Sequence, residues 1–318
     1  MIICIGNALV DSLEQIEEFV IDELNLNKAR MTLVDKERSN FLLQNMKNPI
    51  YEAGGSAANT AYWISQLGGK AGFIGKISED DLGKQFQSSL KDSGLNDYTV
   101  FESEDNQTGL CAIFITPDGE RTMNTYLGAG EHLSVDDLNI DAIKEAKILY
   151  MEGYLWDKPS SKSTFLSAAK INKESGGLNS ISLSDVFCVE MHRDSFISFI
   201  ADDIDYVFCN EDELNSLTLK SSTNESFKYF EENFPKVKEL ICTLGSDGAV
   251  ILKNGEKHFF EATKTKVIDK TGAGDFFAAG YLYGLQKEFS IDKSANFANK
   301  SAAHVISEIG VRPKRKFN

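Results

Sequence analysis

Three features of the sequence predict an α/β fold with a doubly wound, mainly parallel sheet flanked by helices. From about Ser134 onward, apolar runs of strand length at Ile148–Met151, Ile181–Leu183, Tyr206–Phe208 and Leu240–Thr243 alternate with stretches of helical spacing. The chain opens with another such run, Ile2–Ile5, which stops at Gly6-Asn7 as a buried parallel strand does before a functional loop. Two strand-rich pieces, residues 13–50 and 111–126, fall outside this rhythm and predict a small separate sheet. A chain of 318 residues can bury a full core, as one large α/β domain or two smaller ones.

Along the chain, Asp11 follows the first strand within its loop, where open α/β sheets bind ligands; an Asx-type turn is the alternative use. A helix is predicted around Lys36–Met46. Gly54-Gly55 then breaks the chain, and Ser56 is placed to cap the next helix. Ala57, Ala58, Ala61, Ile64 and Leu67 give that helix a small-residue face, and Gly68-Gly69 ends it. Ala71–Gly83 reads as a strand and the start of a helix. Cys111–Tyr126 is a hairpin turning at Pro117-Asp-Gly119. Arg121 on its returning strand is either an exposed strand arginine or in reach of a substrate or phosphate oxygen. Trp156 is assigned to the core, and Pro159 opens a helix. Cys209–Leu214 follows a strand and starts a helix, with acids in the first turn. Thr243–Gly248 reads as a hairpin turn into a strand at Ala249–Leu252, and Ser290–Glu308 as a helix rich in small residues.

Composition narrows the function. The chain is 42% hydrophobic and 25% charged, with 33 basic and 48 acidic residues for a net charge of −15. That charge repels nucleic acid and anionic membranes. The basic stretch Arg312-Pro-Lys-Arg-Lys316 reads as a solvated end against this background. Cysteines 4, 111, 188, 209 and 242 are odd in number, scattered and without a C-x-x-C pair, so they read as reduced core thiols and not as zinc ligands. Met1–Gly6 is too short for a signal peptide and no run reaches membrane-spanning length, which predicts a cytoplasmic protein.

The stretch richest in chemistry is Val267–Leu285, a short β-like run that passes through Gly272, Ala273 and Gly274 into apolar sequence of helical length. Small residues at a helix mouth leave backbone amides uncovered at the positive end of the helix dipole, which makes an anion site. Asp275 in the first turn either stabilises the helix or takes a proton from an attacking hydroxyl beside a bound phosphate. Dinucleotide binding fails the pattern, because G-x-G-x-x-G would need glycine where Phe277 stands, and no Walker A loop occurs.

Asp269-Lys-Thr-Gly-Ala-Gly-Asp275 resembles the C-terminal signature of the ribokinase-like (PfkB) family of carbohydrate and nucleoside kinases, departing from it at Lys270. Gly54–Gly83 resembles the family's N-terminal signature, and the likeness spans the whole chain. The resemblance implies a single ribokinase-like domain over 1–318, with a β-lid from about 12–50 and 108–128. It implies ATP, Mg²⁺ and K⁺ as cofactors, with Asp275 as general base beside an anion hole of Gly272, Ala273 and Gly274. Asp11, Gly54, Gly55 and Asn59 would bind the acceptor, with Arg121 nearby. Asn210 and Glu213 would support Mg²⁺ through water, Thr243 and Gly245 would line the nucleotide, Asn299 would sit on the adenine side, and Asp269 would help hold the monovalent cation. Pro117–Gly128 and Glu152–Trp156 are similar to the bacterial adenosine kinase-like branch, which puts a nucleoside acceptor ahead of a free sugar such as fructose or ribose. An NAD-dependent oxidoreductase and a non-catalytic metabolite-binding protein are the remote alternatives. The partners implied are a small molecule and, in a monomer or a lid-mediated homodimer, a second copy of the chain.

Overall fold

The computed structural model describes residues 1–102 and 106–317. The chain begins with β1 (Ile2–Ile5) and β2 (Leu9–Gln15), then runs through β3 (Met31–Leu33) and β4 (Ile50–Gly54) to the helix Ser56–Gln66. β5 (Ala71–Ile74) follows, with three two-residue strands, β6 (Lys76–Ile77), β7 (Asn96–Asp97) and β8 (Val100–Phe101). β9 (Gly109–Ile115) and β10 (Arg121–Tyr126) form the expected hairpin. Strands β11 (Ile148–Glu152), β12 (Leu178–Ser182), β13 (Tyr206–Asn210) and β14 (Glu239–Thr243) then alternate with helices. β15 (Ala249–Lys253) and β16 (Glu256–Phe260) add antiparallel hairpins before the helices Ala273–Gln286 and Ile291–Val305.

Among the described residues the larger sheet has the order β16-β15-β14-β13-β12-β11-β1-β5-β7, and every pairing from β14 to β7 is parallel. Both faces of its middle are covered, so a strand such as β1 (Ile-Ile-Cys-Ile) is apolar throughout instead of alternating with polar residues. In β1, Ile2 and Cys4 face one core while Ile3 and Ile5 face the other, and Tyr206 and Phe208 in β13 are likewise opposed to Val207 and Cys209. The first core is roofed by the helices Ser56–Gln66, Ala273–Gln286 and Ile291–Val305, the second by Pro159–Glu174 and Val186–Asp203. From β1 the chain proceeds to β5 on one side and later to β11 on the other. A crevice therefore opens where β1 and β11 end, the place at which such sheets bind ligands.

The smaller sheet has the order β3-β10-β9-β2-β4. Its central strand β9 splits by parity: Leu110, Ala112 and Phe114 pack with Ile21, Leu24 and Leu42 beneath two short helices, whereas Cys111, Ile113 and Ile115 turn to the other side. This sheet is larger than the sequence predicts at its first edge, because β2 begins at Leu9. Asp11 consequently lies on a strand, paired with Glu52 and Cys111, and not in a loop after β1. Val267-Ile268 forms no strand; the Ile268 amide donates to the Ile306 carbonyl at 2.8 Å. Trp156 is buried, and its indole N–H donates to Ser195 Oγ at 2.8 Å. All five cysteines are free and buried. No helix among the described residues is long and apolar enough to cross a membrane.

Candidate active site

A cavity of about 960 Å³ lies between the crevice of the larger sheet and the inner face of the smaller one. At its floor the N-terminus of the Ala273 helix meets that of the Ser56 helix. Gly272 adopts the left-handed region (φ 73°), which lets the chain turn sharply from Thr271 into the helix. The Ala273 amide is drawn back to the Lys270 carbonyl at 3.3 Å, which corrects the expectation that it stands open. Among the described residues the amides of Gly272, Gly274 and Asp275 make no hydrogen bond, and a Cβ at Gly274 would meet nothing within 4 Å. Open amides at a helix N-terminus fit a phosphate group.

Asp275 is held from the Ser56 helix. Ser56 Oγ donates to its Oδ1 at 2.7 Å and Asn59 Nδ2 to its Oδ2 at 3.0 Å. The expected cap is thereby corrected: Gly55 (φ 90°) is the N-cap, and the Ser56 hydroxyl serves the carboxylate and not its own helix. Burial pushes the Asp275 carboxyl above its ordinary value, while these two hydrogen bonds and then Arg121 and Arg312 pull it down.

Asp11 reaches the same floor from β2. Burial pushes its carboxyl up to about 7, against the pull of Arg312. Gly54 does not line the cavity; its lack of a side chain makes room for Asp11, whose carboxyl carbon and oxygens would lie 2.3 Å from a Cβ there. At Gly55 a Cβ would lie 2.2 Å from the Asn7 carbonyl.

Two residues outside the expected set complete this region. Glu152, 1% exposed at the end of β11, accepts from the Asn7 amide and side chain at 2.8 Å each and from the Ala57 amide at 2.6 Å. Burial pushes its carboxyl up to about 7. An acid directly after an apolar strand is the signal that marks it in the sequence. Asn7 Oδ1 is buried beside Gly130 with no hydrogen-bond partner among the described residues.

Arg121 on β10 lines the cavity, with Nε 3.5 Å from Asp269 Oδ1. Asp269 itself is 1% exposed and anchors the loop: Oδ1 accepts from the Thr271 amide (2.9 Å) and hydroxyl (2.5 Å), and Oδ2 from the Gly310 amide (2.8 Å). Lys270 pairs with Glu120 of the hairpin at 3.3 Å.

Along the far wall, Asn210 and Glu213 close a capping box on their helix. The Asn210 amide and side chain donate to Glu213 (3.0 and 2.7 Å), and the Glu213 amide donates back to Asn210 Oδ1 (2.8 Å). Burial pushes Glu213 up to about 7. Both residues line the cavity, as do Thr243 at the end of β14 and Gly245 in the turn after it. Asp185, the N-cap of the helix Val186–Asp203, lies on the same wall. Asn299 does not reach the cavity; its side chain donates to the Glu261 carbonyl at 3.0 Å.

The basic stretch near the C-terminus is solvated as expected at Lys314, Arg315 and Lys316 but not at Arg312. Arg312 folds inward behind Asn59 and rests on Tyr62, and Phe317 packs on Trp63. Nothing in the local pattern of Gly310-Val-Arg-Pro313 marks this, because the contacts are with residues some 250 positions away.

The profile of the pfkB family carbohydrate kinases matches residues 19–316. A probable sugar kinase from Rhizobium etli CFN 42 superposes with a TM-score of 0.94 at 36% identity, covering 99% of this chain and 96% of that one. The adenosine kinase from Sinorhizobium meliloti gives 0.93 at 33%, with the same coverage. Fructokinase-1 of Zea mays is 30% identical over 275 residues, 82% of this chain and 84% of its own length. With open amides at a helix mouth, a carboxylate beside them in one cavity, and a family match over residues 19–316, the chain belongs to the pfkB family of carbohydrate kinases.

Proposed function

We propose that this kinase transfers the γ-phosphoryl group of ATP to the primary hydroxyl of a nucleoside's ribose, adenosine foremost. The observation that carries the reading is the inner face of the smaller sheet. Met31, Leu33, Ile113 and Met123 present apolar surface to the cavity on the same face of the sheet that carries Asp11. A planar base fills such a slot; a free sugar leaves it bare.

In this reading Asp11 accepts hydrogen bonds from ribose hydroxyls. Asn59 keeps one N–H and one lone pair for the same task. Asp275 takes the proton of the attacking hydroxyl as that oxygen bonds to phosphorus and the bond to the β-phosphate oxygen breaks, leaving ADP. The amides of Gly272, Gly274 and Asp275 stabilise charge on the transferred group, and Arg121 lies within reach of it. Kinases of this family use ATP and Mg²⁺; Mg²⁺ neutralises phosphate charge, and Glu213 and Asp185 would hold it through water. Thr243 and Gly245 would flank the nucleotide. A K⁺ ion beside Asp269 belongs to the same proposal, because three donors leave its carboxylate about one lone-pair position.

The smaller sheet acts as a lid on a single domain, spanning residues 9–54 and 109–126. Its edge strand β4 carries Ile50, 56% exposed, on a face suited to a second copy of the chain. We place the activity in the cytoplasm.

A second reading, a free hexose or pentose as acceptor, draws support from the likeness to the Zea mays fructokinase. Measuring ADP release from ATP–Mg²⁺ with adenosine, inosine, ribose and fructose, with and without K⁺, separates the two. Turnover confined to nucleosides is expected, and turnover confined to free sugars overturns the nucleoside reading.

A further inference from the structure

We propose that Arg312 is a positioning residue for phosphoryl transfer: its guanidinium fixes the Asn59 amide, and through that amide it sets the orientation and charge of Asp275. The inference rests on Asp275 being the base. Arg312 Nη1 donates to Asn59 Oδ1 at 2.9 Å, and Asn59 Nδ2 donates to Asp275 Oδ2 at 3.0 Å. The amide is thus pinned from both ends. Turned over, it would set NH₂ against the guanidinium and a carbonyl oxygen against the carboxylate, both repulsive. Arg312 therefore decides which way Asn59 faces.

The guanidinium lies 4.1 Å from the centroid of the Tyr62 ring, which fixes its plane. Its Nε and Nη2 are buried without partners among the described residues, and none of these residues neutralises it with a carboxylate in direct contact. Its field reaches Asp11, Glu52 and Asp275. Asp275 in turn faces Ser56 and Asn59 from one helix, Arg121 from β10, Asp11 from β2, and Tyr150 and Glu152 from β11. Burial and the acids work to protonate the base. Arg121 and Arg312 oppose them.

Docking of the C-terminal segment has its own supports. The Gly310 amide donates to Asp269 (2.8 Å), the Val311 amide to Glu52 (3.1 Å), and Arg315 Nε to Glu308 (2.8 Å). The Phe317 ring sits 5.4 Å from Trp63 and 5.2 Å from Phe297. A change at Phe317 loosens the segment without touching Asn59, which separates packing from positioning.

The experiment compares kcat and kcat/KM from pH 5 to 9 for the wild type, R312Q, R312K, F317A and D275N, with thermal unfolding of each. Gln can still donate to Asn59 but carries no charge. R312Q is expected to move the acidic limb of kcat upward by about one pH unit and so to lower kcat by up to about tenfold at pH values below that limb, the scale of a neighbouring charge. R312K should return the limb to its wild-type position, and F317A should lower the unfolding temperature with the limb in place. If R312Q does not fold, Y62L removes the ring beneath the guanidinium and should move the limb the same way. An unmoved limb in R312Q, or in Y62L where that variant stands in, overturns the inference. D275N with wild-type turnover overturns instead the reading on which it rests.

Discussion

Both carboxylate oxygens of Asp275 accept a hydrogen bond, yet the group remains on the cavity wall, where a substrate hydroxyl can reach it. Only the ionised form takes a proton. Because burial raises its pKa, turnover is expected to fall as the pH drops through that raised value. Replacing it tests the role directly. D275N should lower kcat by roughly 10²–10⁴-fold while the acceptor KM stays nearly constant, since the amide still receives the Ser56 hydroxyl but no longer accepts a proton. Steady-state kinetics decide it, and a wild-type kcat removes Asp275 from the chemistry. The place of this residue was legible in the sequence, because an acid behind three small residues marks a helix mouth, where a helix-stabilising carboxylate and a proton acceptor read alike. Its partners were legible only in part. Ser56 reads as a cap from its position after two glycines, and tertiary contact with a residue 219 positions away redirects its hydroxyl.

Strand β9 shows why the elements were easier to predict than their faces. Its hairpin with β10 follows from alternation and the Pro117-Asp-Gly119 turn, and both strands lie where the pattern puts them. The facing needs a third body. Cys111 and Ile113 are as apolar as Leu110 and Phe114, and only the short helices on one side decide which set is left to the cavity. The same ambiguity hid Asp11: an aspartate is a poor strand former, and pairing with β4 and β9 on both sides overrides local preference at that position. Met123 offers a test at this scale. M123S removes part of the apolar slot and should raise KM for adenosine by about tenfold, the cost of losing most of a buried side chain of this size. Ribose, if turned over at all, should be unaffected. Equal effects on both acceptors would place the base elsewhere.

In the whole molecule, three buried acids change charge near neutrality. Burial pushes Asp11, Glu152 and Glu213 up to about 7, whereas an unfolded chain ionises them near 4. Between roughly pH 4 and 7 the folded state binds more protons than the unfolded one, so stability falls as pH rises through that window. The substrate-free protein should unfold at a higher temperature at pH 6 than at pH 8. The net charge of −15 also relaxes on acidification and acts in the same direction. D11N isolates one group: it should narrow the gap between the two unfolding temperatures. An unchanged gap would mean that Asp11 is ionised in the folded protein at both pH values. The parallel sheet and its crevice were legible because period and order are local properties. The inward fold of Arg312 was not, because a basic stretch carries no record of the cavity behind it.

The burial of all five thiols has a consequence for chemistry in the test tube. Burial raises the pKa of Cys4, Cys111 and Cys188, so in the native protein they are poor nucleophiles toward alkylating reagents. Cys111 lies on the cavity face of the smaller sheet and Cys188 and Cys209 on the far wall of the cavity, while Cys4 and Cys242 lie in strands of the larger sheet away from the cavity. Alkylation of Cys111 then reads out excursions of the smaller sheet and is slowed by whatever fills the cavity. Alkylation of Cys4 and Cys242 reads out global unfolding. A single reagent and a mass spectrometer thereby time two separate motions in an unmodified chain.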